Sequence, residues 1–176
     1  MHDYICPGLV TRVFPSLQPQ GAGEVHVTEA VCVDDGMEVT GIRLADMRFV
    51  MFFADVSGDP AISLRIPAGA RFVTVVRIEA DHGTMFLPDF WRLPHPHMVW
   101  QLTEALRRAV RHHVDTHPWV PQYVYVSQTR KMDFLCERVV RQLGRLGVPA
   151  RFGSVIRPEA GKEGIHGFAR DESCPA

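Results

Sequence analysis

A few short stretches of this chain bring together side chains able to move protons or hold charge. Glu79-Ala80-Asp81-His82 closes an apolar run and sets two carboxylates beside an imidazole. A carboxylate there could serve as general base toward an amine if burial raised its pKa toward neutrality. The plainer alternative is a solvated strand end turning at Gly83. Pro94-His95-Pro96-His97 places two imidazoles at i and i+2, a spacing that can ligate a metal. The prolines alone would set a rigid helix entry, however, and no Cys or carboxylate cluster stands beside them. His113-x-x-x-His117, with Asp115 between, puts two candidate ligands on one helix face. It lacks the glutamate of HExxH. Pro118 follows at once, so both imidazoles read as partners of the helix C-terminal dipole. No bound metal is expected. Phe86, Phe90, Trp91 and Trp100 bracket the proline-rich loop and could stack on a ring, fill a partner's groove or fold back over a sheet edge.

The elements that position these groups must come from one domain. A chain of 176 residues can bury a substantial core without staples. Hydrophobic residues make up 46% and charged residues 22%, ordinary for a soluble globular protein. No apolar run approaches the roughly 18 residues of a membrane span, and MHDYICPG lacks the basic start and apolar stretch of a signal peptide. Cys6, Cys32, Cys136 and Cys174 form no CxxC pair, which favours reduced thiols and a cytoplasmic location. Charge is uneven. Residues 98–157 hold 10 Lys/Arg against 4 Asp/Glu, a surplus of six on the helical segment, while residues 1–97 hold 7 against 12. Arg107, Arg108, Arg111, Arg138 and Arg141 could meet phosphates or an acidic partner, or simply form a solvated face. A pI of 6.7 argues against a nucleic-acid domain.

Periodicity supplies the elements. Residues 24–33 alternate with a slip near Ala30, Asp34-Asp35-Gly36 reads as a turn, and Met37–Leu44 alternates again: a hairpin. Residues 48–55 are almost continuously apolar, as in a strand covered on both faces. A short strand is expected at 61–66, and 71–79 (RFVTVVRIE) is the strongest strand and is placed centrally. From Met98 to Thr116 the period becomes helical, with Val99, Leu102, Leu106, Ala109 and Val110 on one stripe. A strand at 122–126 precedes a second stripe, Met132, Leu135, Cys136, Val139, Val140 and Leu143. Gly144 and Gly147 end it, and 150–156 supplies a last strand. The expected fold is α/β (α+β): a mixed, mostly antiparallel sheet with a parallel C-terminal βαβαβ portion and two main amphipathic helices packed on it. Residues 1–157 form the domain and 158–176 a flexible charged tail.

The order RFVTVVRIE, MVWQLTEALRRAVRHHV, YVYVS and RKMDFLCERVVRQLGRLGV resembles the C-terminal half of the GNAT N-acyltransferase superfamily, over about residues 48–156. That resemblance implies transfer of an acyl group from acyl-CoA to an amine. Glu79, Asp81 or His82 would be the base and the loop from Gly83 to His97 the substrate wall. In the family an Arg/Gln-x-x-Gly-x-Gly/Ala run cradles the cofactor pyrophosphate. Here the same stretch is ADHGTMFLPDFWRLPHPH, with one glycine. The family's last-helix tyrosine, which protonates the departing thiolate, is also missing; Tyr123 and Tyr125 lie on the strand before that helix. A second reading is therefore kept: a non-catalytic binding or inhibitory protein of the mobile-element or phage type. It would engage a protein partner through Phe86, Phe90, Trp91, His95 and His97 and through the basic helices. Either way, the loop from Asp81 to His97 is expected to close over the sheet crevice or to present Trp91 outward. Alanine at Phe90 and Trp91 should then spare most of the stability.

Overall fold

The alternation at the start of the chain is one edge strand broken in the middle. The computed structural model describes residues 7–14, 25–34, 36–56, 66–79, 91–127, 130–145, 151–156 and 164–169, the last two by backbone alone. Strands β1 (Val25–Val27) and β2 (Val31–Asp34) both pair antiparallel with β3 (Met37–Leu44), one at each end of it. Between them the Thr28 amide donates to the Gly41 carbonyl at 2.9 Å, and the Thr28 hydroxyl accepts from the Gly41 amide at 2.8 Å. A side-chain oxygen thus takes the place of a backbone carbonyl in the ladder, and the slip near Ala30 follows. Gly41 is required by close approach as well: a Cβ there would lie 2.5 Å from Val13 Cγ1.

Strand β4 (Met47–Asp55) pairs antiparallel with both β3 and β5 (Arg71–Arg77). Its continuous apolar sequence serves two cores. Phe49, Met51 and Phe53 face helices α2 (Pro96–Thr116) and α3 (Arg130–Arg145), while Val50 and Phe52 face the short helix α1 (Pro7–Val13). The stripes read from periodicity are buried: Leu102, Leu106 and Val110 on α2, Leu135, Val139 and Leu143 on α3. Pro96 sits in the first turn of α2, where a missing N–H costs nothing. Among the described residues, no helix is long and apolar enough to cross a membrane.

The sheet order is β1-β3-β4-β5-β6-β8-β7, with β2 also on β3, where β6 is Gln122–Ser127, β7 is Arg151–Ile156 and β8 is Gly164–Ala169. The fold is therefore mixed and mostly antiparallel, with helices packed on it and β5 central. Two expectations need correction. The segment from Pro158 is not all tail, because β8 forms there and inserts between β6 and β7, antiparallel to both. The parallel C-terminal portion accordingly reduces to one parallel pair, β5 with β6. Strand β7 runs in the direction of β6 but does not touch it. The proposed strand at 61–66 lies almost wholly outside the described residues.

Candidate functional site

The parallel pair is short. Strands β5 and β6 share only the register pairs Arg71↔Tyr123 and Phe72↔Val124, although β5 continues to Arg77 and β6 to Ser127. Beyond those pairs lies a crevice lined by Val73 and Val75 of β5, Tyr125 of β6, and Met132, Leu135 and Cys136 of α3. Open sheets offer ligands such a place at the carboxyl ends of parallel strands. Burial, with Asp133 adding, pushes the Cys136 thiol up to about 12, so it is no nucleophile at neutral pH. Burial also pushes the Tyr125 phenol up, which keeps it a hydrogen-bond donor.

Leu135 also lines a second space, a groove of about 250 Å³ between the N-terminal halves of α2 and α3. Its walls are Trp91, Leu93, Val99, Leu102 and Phe134, and exposed Arg130 and Lys131 stand at its rim. The positive end of α2 opens nearby, with no side-chain cap on His95 and no acid in the first turn.

Those of the residues singled out from sequence that are described do not gather in one place. Glu79 bridges strands: Arg48 gives its backbone amide to Oε2 at 3.0 Å and its Nε to Oε1 at 2.7 Å, with Arg77 Nε 3.8 Å away. That clasp makes Glu79 a fastener between β4 and the end of β5. Asp81, His82, Phe86 and Phe90 lie outside the described residues. Trp91 is 1% exposed and packs edge-on against Phe49 at 5.2 Å, and its carbonyl accepts from Arg77 Nη1. Of the two placements expected for the loop, the outward Trp91 is corrected: the indole is buried next to Phe49 and is core. His95 and His97 are exposed and stacked at 5.3 Å.

Four of the five arginines singled out from sequence are paired within their own helices. Arg107 and Arg108 both bond Glu104, Arg111 bonds Asp115 at 2.6 Å, and Arg141 bonds Glu137 at 3.0 Å. The Arg107 hydrogen bond holds the Glu104 carboxyl below its usual range. Arg138 instead lies over the Trp100 ring at 3.4 Å, with Phe134 at 5.2 Å.

A second cluster stands at the other end of α2. His113 and His117 stack at 4.1 Å, and Phe53 stacks under His113 at 4.0 Å. The register Glu38↔Phe53 carries Glu38 to the same place, with Oε1 2.7 Å from His117 Nε2 and Oε2 3.9 Å from His113 Nε2. Tyr123 OH lies 2.9 Å from His113 Nδ1. His113 is 1% exposed. Burial, then the charges of His117, Arg71 and His112, pull its pKa down to about 3, so the ring is neutral. Sequence reasoning found the two histidines but missed Glu38. A signal existed: in β3 Glu38 shares its face with Ile42 and Leu44, an acid in the apolar phase of the strand.

Comparison with family models finds no match, and neither do comparisons with curated proteins or with solved structures.

Proposed function

We propose that the chain is a divergent GNAT-like N-acyltransferase, binding an acyl-CoA in the α2–α3 groove and passing the acyl group to a small-molecule amine. The observation that carries this reading is that Leu135 lines both the groove and the crevice. An anionic head would lie by Arg130 and Lys131, and the thioester arm would run along Val99 and Leu102. The acyl end would then reach the gap between β5 and β6. Two side-chain cations and the open start of α2 would replace the glycine-rich cradle that this sequence lacks. In the reaction the amine nitrogen attacks the thioester carbonyl carbon, and the tetrahedral intermediate collapses with loss of the thiolate. The nitrogen gives its proton to a base, and the thiolate leaves towards the Tyr125 hydroxyl, a donor the last helix does not provide. With Glu79 fastened to Arg48, the base is Asp81 or His82. The test is amine-dependent release of free thiol from acyl-CoA across a panel of small amines. No release above the protein-free rate with any amine would refute it.

One observation favours the second reading, a partner-binding protein. Trp100 and Phe134 are 61% and 55% exposed, with the Arg138 guanidinium against both rings. Exposed aromatics with an arginine are typical anchors of a protein interface. Trp100→Ala should weaken partner capture on this reading and leave thiol release unchanged on the first.

A further inference from the structure

The cluster of Glu38, His113 and His117 lies far from the groove. From Leu102 to His113 the helix rises about 16 Å, so nothing in it depends on acyl transfer. Three features set it apart from an ordinary ion pair. The first is convergence: one ligand atom from each of the three residues lies within 4.8 Å of the others. Bonds of about 2.0–2.1 Å to a tetrahedral ion need donors roughly 3.3 Å apart. Separations of 2.7 and 3.9 Å bracket that value.

The second is orientation. Both Nδ1 atoms are already engaged, in His113 by Tyr123 OH at 2.9 Å and in His117 by the His113 carbonyl at 3.2 Å and Thr116 Oγ1 at 2.9 Å. Metal-bound histidines are held in this way, the distal nitrogen fixing tautomer and ring angle so that Nε2 faces the ion. The third is an unmet need. His113 Nε2 is buried and has no hydrogen-bond partner among the described residues. A buried ring nitrogen without a partner is costly, and a cation between it and the Glu38 carboxylate would satisfy both. Arg71 does not fill that role, because its guanidinium bonds Asp55 and the Gly36 carbonyl.

We infer that Glu38, His113 and His117 bind one divalent transition metal, zinc by the chemistry of two imidazoles and a carboxylate. Glu38 and His117 keep 23% and 14% side-chain exposure, so a fourth position faces solvent and takes water. This replaces the expectation that no metal is bound: with Asp115 bonded to Arg111, the fold supplies the carboxylate from Glu38 on β3. The ion would tie the last turn of α2 to β3.

The experiment uses the untagged full chain, stripped with chelator and titrated with zinc and, separately, cobalt(II). The result expected is one equivalent of zinc, a higher melting temperature on reloading, and visible cobalt absorption of a four- or five-coordinate site. His117→Gln and Glu38→Gln should each weaken zinc binding at least tenfold. His112→Gln, on the exposed side of the same turn, and the pair His95→Gln/His97→Gln should leave it intact. Substoichiometric zinc in the wild type at micromolar free metal would overturn the assignment. So would full uptake lost only with His95 and His97, which would place the ion on the surface pair. Should the site variants fail to fold, the wild-type cobalt spectrum decides alone, an octahedral, water-like spectrum counting against the site.

Discussion

At the scale of single residues, burial decides what each side chain can do. Trp91 sits in a proline-rich loop, where sequence points as readily to a docking aromatic, yet it is a core residue packed on Phe49. Trp91→Ala should therefore cost about 3–5 kcal/mol. A loss below about 0.5 kcal/mol in chemical denaturation would return the indole to a surface role. Cysteine chemistry separates in the same way. Cys32 is exposed, whereas Cys136 is held as thiol with a pKa of about 12. The thiolate is the reactive form, so the fraction at pH 8 is about 10⁻⁴ and rises tenfold per pH unit. Peptide mapping after iodoacetamide treatment of the folded protein at pH 8 should find Cys32 modified and Cys136 spared. Equal modification of both would mean that α3 does not cover the crevice. Residue types were legible from sequence where their meaning is local, as in the His113/His117 spacing. Glu38 was not, because only the β3–β4 register brings it under α2.

At the scale of elements, legibility followed periodicity and length. The two long helices and strands β3, β4 and β5 could be read because each repeats its pattern over several turns or pleats. Helix α1, with 7 residues, is too short to show a stripe and is held by Leu9 and Val13 against Val39. Strand β8 was hidden in a glycine-rich, charged segment, since a strand defined by two neighbours needs little sequence signal of its own. It nevertheless joins β6 and β7 through antiparallel ladders on both sides. Gly167 sits mid-strand opposite Val124 and Gly153. Proline there cannot donate to the ladder, and each orphaned partner costs about 1–3 kcal/mol. Gly167→Pro should lower the melting temperature by several degrees. An unchanged melting temperature would show that β8 contributes no stability and that the domain ends with α3.

At the scale of the whole molecule, the sheet and its helices create two separate places. At one end the crevice beyond the β5–β6 pair and a cation-rimmed groove share Leu135, and at the other two histidines converge on a carboxylate. Arg107, Arg108, Arg111 and Arg141 pair with carboxylates of their own helices that are already counted in the surplus of six, so the pairs fix these side chains locally and the helical half keeps its net positive charge. Arg130 and Lys131 matter by position at the groove rim rather than by total charge. Calorimetric titration with acetyl-CoA tests whether this groove holds an acyl-CoA, as proposed. The wild type should bind one equivalent saturably, and the Arg130→Glu/Lys131→Glu double variant, with its fold retained by circular dichroism, at least tenfold more weakly. No binding by the folded wild type at millimolar acetyl-CoA, or equal affinity in the double variant, would rule out acyl-CoA binding in the groove.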